Sequence, residues 1–190
     1  MDGAKTYRCW VKFGHSTTTD DVEGEVVETS DVRPTATEIQ AVLGEFEGDI
    51  TQLPPVYSAI KIDGQRAYKR ARADEDVEMP SRVVHIDRVA LVEMPEPDLV
   101  VIDIDCGKGT YIRSLARDLA LRLGTRGHVF DLRRTRVGPF TDEAAISLDS
   151  LETLGHSARL EEVVLPIKTA LDDIPALALP EAGAARRRGR

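Results

Sequence analysis

Two cysteines, Cys9 and Cys106, are all the thiol chemistry in 190 residues, too few for a disulfide framework and not spaced as metal ligands. Both are expected to be small buried apolar residues in a reducing compartment, with no metal site. Long hydrophobic runs are missing as well. Leu99 to Ile102 and Val163-Val164-Leu165 fall far short of a bilayer span, and no charged-then-apolar signal segment opens the chain. A soluble, cytoplasmic protein without a membrane partner is expected. No internal repeat is visible. What is present, 42% hydrophobic and 31% charged residues, is ordinary for a globular chain that buries one core.

Net positive charge is also lacking. A formal charge of -8 weighs against a nucleic-acid partner, because phosphate binding favours a positive surface. The average conceals segregation along the chain. Ser16 to Val56 holds ten acidic residues and one basic residue, Arg33, whereas Lys108 to Arg136 holds eight basic residues against Asp118 and Asp131. Further basic clusters are Lys61, Arg66, Lys69, Arg70 and Arg72, and then Arg186, Arg187, Arg188 and Arg190. Charge alone leaves two readings open, solvated helix faces or a phosphate-binding surface.

Thr6 to Gly14 alternates Tyr7, Cys9, Val11 and Phe13 against Arg8, Trp10 and Lys12, which predicts a strand. A polar, Thr- and Asp-rich stretch follows, read as a loop in which Asp20 and Asp21 are solvated. Thr35 with Glu38 forms a capping box, and Ile39, Val42, Leu43 and Phe46 mark one helical face up to Gly48. Leu53-Pro54-Pro55 predicts an extended connection. A short helix is expected over 66–73, an antiparallel pair of strands over 83–92 and 99–106, and a further strand over 128–134. Between them, Gly107-Lys108-Gly109-Thr110 reads as a turn, with Thr110 capping a helix whose Ile112, Leu115, Ala116, Leu119 and Leu123 share a face and which Gly124 ends. Ser147 caps a short helix carrying Leu148, Leu151 and Leu154 before Gly155. The irregular order of elements predicts an α+β fold with a mixed, largely antiparallel sheet and flanking helices.

The turn and helix start at 107–113 suit an anion or a nucleotide. Two glycines let backbone approach a ligand, Lys108 offers a phosphate-seeking charge, and Tyr111 and Arg113 emerge beside free backbone N–H groups. The stretch lacks the spacing of a nucleotide-binding P-loop. An arginine in a first helical turn faces the positive end of the helix dipole, so a carboxylate or phosphate partner is expected for Arg113. His15, His85, His128 and His156 have no partners visible in sequence and receive no catalytic role.

Three collinear segments carry a family resemblance. They are Lys5-Thr6-Tyr7 leading to Phe13-Gly14 and Thr17 to Gly24; Leu53 to Lys61 with Gly64 to Tyr68; and Cys106 to Arg113 with Leu132-Arg133-Arg134. Together they resemble the TruB family of tRNA pseudouridine synthases, from Lys5 to about Leu171. The resemblance implies isomerisation of the T-loop uridine of tRNA (position 55) to pseudouridine, on a base extruded from its stack, by an aspartate nucleophile. It implies a catalytic role for Tyr7, stacking on the base and assisting the final proton removal, and for Arg113, pairing with the catalytic carboxylate; the two would share one cleft. Tyr111 and Leu132 would line the uridine pocket, and Lys108, Lys61, Arg133 and Arg134 would bind the RNA. No cofactor, metal or obligatory protein partner is implied; the partner is the tRNA T arm.

Departures from the family pattern are as informative. The Gly-His-x-Gly-x-Leu-Asp-Pro motif that supplies the family's nucleophile does not occur in this chain, so the aspartate is expected upstream or on another polypeptide. Gly107 stands where the family has serine, and Ala120 where it has glycine. Residues 1–173 are expected to form a partial catalytic domain and 174–190 a linker and the start of a C-terminal PUA-like domain. The alternative reading is a non-catalytic RNA-binding remnant of the same fold.

Overall fold

The computed structural model describes residues 3–62, 64–73, 75, 77–155, 163–171 and 174. The chain forms two compact units, residues 1–144 and 145–190. In chain order the first unit contains β1 (Lys5–Phe13), β2 (His15–Thr17), β3 (Val26–Thr29), α1 (Ala36–Leu43), β4 (Gly48–Gln52), β5 (Lys61–Ile62), β6 (Gln65–Arg66), α2 (Ala67–Ala71), β7 (Arg82–Glu96), β8 (Leu99–Cys106), α3 (Ile112–Arg122), β9 (Gly127–Val137) and β10 (Phe140–Thr141). In the second unit are α4 (Leu148–Gly155), with the Ser147 hydroxyl accepting from the Ser150 N–H at 3.1 Å, and α5 (Ile167–Ala170). The segment 174–190 lies, but for Ile174, outside the described residues.

A six-stranded sheet, ordered β10-β9-β1-β8-β7-β4, is the frame. Among the described residues every pairing of named strands is antiparallel, and the one parallel contact is an isolated bridge between Asp21 and Val129. Alternation explains the two faces. Cys9, Val11 and Phe13 of β1 lie in one core with Ile102, Ile104 and Cys106 of β8, covered by Ile39 and Leu43 of α1 and by Ile112, Leu115, Ala116 and Leu119 of α3. Burying each of the larger aliphatic side chains is worth roughly 1.5–3 kcal/mol. Residues of the opposite phase carry cross-strand polar pairs, as in the bidentate Arg8–Asp103 pair, two hydrogen bonds of 2.8 Å between directly opposed residues.

Three local expectations are corrected. The polar stretch after β1 contains a two-stranded hairpin, β2 with β3; all four residues of β3 are exposed, so no apolar alternation announced it. Residues of β7 continue to Glu96, past Pro95, because β4 pairs only with 82–86 and leaves that flank of β7 without a strand partner. Thr110 is not the cap of α3. Its hydroxyl donates to the Gly107 carbonyl at 3.2 Å, and Tyr111 occupies the N-cap position without a side-chain cap of its own.

Candidate active site

The start of α3 is held from outside the helix. Gln52, fully buried at the end of β4, accepts from the Tyr111 N–H at 3.0 Å and donates to the Tyr111 carbonyl at 3.3 Å. A buried amide bonded in both directions fixes the backbone from which Tyr111 and Arg113 project. One turn on, the Ser114 hydroxyl donates to the Leu53 carbonyl at 2.8 Å, tying the proline-rich connection to the same helix.

Arg113 meets the carboxylate that its position demanded. Its Nη1 donates to Asp21 Oδ2 at 2.9 Å and to the Thr19 carbonyl at 2.9 Å, and its Nη2 donates to the Tyr57 carbonyl at 2.8 Å. The Asp21 carboxylate also accepts from the Thr19 hydroxyl and the Glu23 N–H. The two charged side chains are only 25% and 23% exposed, so the pair is shielded well beyond an ordinary surface ion pair. The reading of Asp20 and Asp21 as a solvated acidic loop is thereby overturned. Asp20, 13% exposed, pairs with Arg117 Nη1 at 3.1 Å. Burial holds its carboxyl above the usual carboxylate range even though Arg117 and Arg113 pull the other way.

These groups border a cavity of about 820 Å³ lined by Thr19, Asp21, Tyr57, Ser58, Tyr68, Arg72, Tyr111, Arg113, Val129 and Phe130, among others. Arg72 lies over the Tyr68 ring at 5.7 Å, a cation–π pair on one wall. Phe130, 48% exposed, sits at the β-bulge where the pairing of β9 with β1 shifts register. A concave site with aromatic walls and an oriented cation suits an unstacked base.

Of the residues singled out from sequence, Tyr111 and Arg113 line this cavity. Tyr7 does not line it; its ring packs, half-buried, against the core on the face that α3 covers, with Ile104 and Arg134 directly opposite on the neighbouring strands. Leu132, opposite Cys9 and 40% exposed, points to that same face. Lys108 borders a separate hollow of about 480 Å³ with Arg82 and Gly109, and Arg82 in turn lies over the Tyr111 ring at 5.8 Å. Lys61 is exposed on β5, opposite Arg66. Arg133 pairs with Asp142 at 2.9 Å, and Arg134 is exposed on β9.

Sequence reasoning missed Asp21, Gln52, Tyr57 and Tyr68. Asp21 had a signal in the unmet need of Arg113 for a carboxylate, and Tyr57 and Tyr68 lie within the segments that carry the family resemblance; Gln52 had none. Two histidines also gain partners: His85 Nδ1 lies 2.7 Å from Asp49, and His128 Nδ1 lies 3.1 Å from the His15 carbonyl. His156 lies outside the described residues. At Gly107 an added Cβ would make only ordinary contact, 3.6 Å from the His85 carbonyl, so the family's serine would fit there.

Comparison with known proteins supplies the family. The profile described as TruB family pseudouridylate synthase (N terminal domain) matches residues 1–112, and that described as tRNA pseudouridylate synthase B C-terminal domain matches residues 113–172. The chain belongs to the TruB family of pseudouridylate synthases. It is 52% identical over 186 residues to a tRNA pseudouridine synthase B of Caulobacter vibrioides and 54% identical over 186 residues to one of Rhodospirillum rubrum. In both comparisons 98% of this chain is covered and 60% of the relative, so the chain spans about 60% of the length of the curated relatives it matches. Among solved structures it resembles a chain of a Cbf5-Nop10-Gar1 complex, with TM-score 0.69 and 26% identity over all of this chain and 50% of that one. A chain of the archaeal box H/ACA sRNP Nop10-Cbf5 complex shares the fold, with TM-score 0.65 at 23% identity, covering 100% of this chain and 49% of that one.

Proposed function

We propose that this chain is the greater part of the catalytic fold of a tRNA pseudouridine synthase, which isomerises the T-loop uridine of tRNA to pseudouridine with a nucleophilic aspartate from outside these residues. The observation that carries the reading is the Arg113–Asp21 pair lining an aromatic-walled cavity. In the reaction the base leaves its stack, its bond to the ribose is broken, and it turns and rejoins through carbon. A guanidinium already fixed by one carboxylate and two carbonyls is pre-organised, so it orients a second carboxylate without first losing its own freedom. Tyr111, backed by Arg82, forms a ring wall for the uracil, and the stacking role of Tyr7, which packs against the core outside this cavity, rests on the family resemblance alone. No metal or organic cofactor takes part in this scheme.

The T arm of tRNA is the proposed partner. Support for phosphate contacts comes from the exposed Lys61, Lys69 and Arg134, with Arg70 and Arg133 beside them in pairs with Glu75 and Asp142. The test uses the full-length protein. Arg113→Ala and Tyr7→Ala are expected to abolish pseudouridine formation in a T-arm substrate while the protein stays folded, and normal turnover in either variant would refute the assignment of that residue.

A further inference from the structure

Two arginines one helical turn apart on α3 reach back to the same two loops. Arg113 holds Asp21 and the Thr19 and Tyr57 carbonyls. Arg117 holds the Asp20 carboxylate at 3.1 Å, the Asp118 carboxylate at 3.0 Å and the Leu53 carbonyl at 2.8 Å. Each therefore takes one of two consecutive aspartates and one end of the 53–57 connection. Asp20 has φ of +60°, the only positive value for a non-glycine among the described residues. The turn at this residue sends neighbouring carboxylates to different arginines. Its carbonyl accepts from the Val129 N–H at 3.0 Å, so β9 fixes the turn from the other side.

We propose that the Arg117–Asp20 pair is a positioning device for Arg113: by fixing the left-handed turn at Asp20, it sets where the Asp21 carboxylate stands and hence how the Arg113 guanidinium faces the cavity. This rests on the cavity being the uridine site. Neither Asp20 nor Arg117 lines that cavity, so both act through Arg113 and not on substrate. Burial raises the Asp20 carboxyl despite two arginines, so the ion pair does not offset the cost of removing that carboxylate from water. Geometry, not stability, is what such a pair contributes.

The experiment uses the same full-length protein. Asp20→Asn keeps a residue tolerant of the left-handed turn and removes the charge, while Arg117→Lys keeps a charge that cannot span three acceptors. Both variants are expected to retain the wild-type methyl NMR spectrum. The Arg113 Nη signals, assigned by their loss in Arg113→Lys, are expected to be resolved in the wild type and exchange-averaged in both variants. Affinity for a T-arm stem-loop is expected to fall about threefold to tenfold, and the cycle of Asp20→Asn with Arg113→Lys to be non-additive by about threefold or more. Arg113 signals already averaged in the wild type, or unchanged in the folded variants, overturn the proposal. A wild type with resolved signals that binds no T-arm RNA overturns the uridine reading instead, and the spectra still decide the positioning role. If Asp20→Asn unfolds, Asp20→Gly, which favours positive φ, makes the same comparison.

Discussion

Replacing Asp21 by asparagine keeps the shape of the side chain and removes the charge opposite Arg113. Breaking an exposed ion pair costs about 0–1 kcal/mol and breaking a fully buried one about 3–5 kcal/mol. With side chains 25% and 23% exposed and an N–O distance of 2.9 Å, the Arg113–Asp21 pair falls between these limits, at about 2 kcal/mol. An amide adds a conflict. The carboxylate accepts from Arg113, Thr19 and Glu23, and an NH2 turned toward any of them sets donor against donor. For a chain of this size each kcal/mol shifts the melting midpoint by roughly 2–4 °C, so Asp21→Asn is expected to melt about 4–8 °C below the wild type. Thermal unfolding followed by circular dichroism measures this directly. A shift under about 1 °C would refute the argument, because it would mean that the pair is solvent-screened and that Arg113 is not oriented by it.

Gly127→Ala places a Cβ 2.8 Å from the Ala120 Cβ and 3.1 Å from the Lys12 carbonyl, so a loss of about 1–3 kcal/mol is expected in urea unfolding, partly restored by Ala120→Gly. His85, hydrogen-bonded to Asp49, has its pKa raised above 6.5; its contribution to stability is complete below the unfolded value and lost as pH rises through the folded one, and an NMR titration should show it falling back in Asp49→Asn. His128 is shifted the other way by burial, so stability should fall as the solution is acidified below 6.5, and a pH series of denaturation midpoints that stays flat there would contradict its buried, neutral state. Binding of T-arm RNA should weaken with salt, and Arg133→Ala with Arg134→Ala should reduce the log–log slope by about 1–2; binding unchanged across the salt series would count against phosphate contacts.

Regular burial made much of the frame readable. β1 alternates from Cys9 to Phe13 and β8 from Ile102 to Cys106, and α3 repeats its apolar residues every three or four positions, because each packs one face on a single core. Elements without such a face were hidden: β3 is exposed throughout, and β4 is a five-residue strand between a helix and a proline pair. The charge segregation was visible but its meaning was not. Arg113, Arg117, Arg122 and Arg126 pair with Asp21, Asp20, Glu45 and Glu28, so the basic and acidic segments neutralise one another in part across the fold. Such pairs join residues 77 to 98 positions apart, and no local pattern encodes them. At the site, motif resemblance located Arg113 and Tyr111, while Gln52 acts through backbone contacts that only the folded chain brings together.

A helix that began with its own serine or aspartate cap would have to commit that side chain to its first turn. Here a glutamine from a distant strand holds the backbone of residue 111 itself, so the phenol carries no capping duty. Its ring can therefore respond to whatever enters the cavity, and substitutions there should register in recognition well before they register in folding.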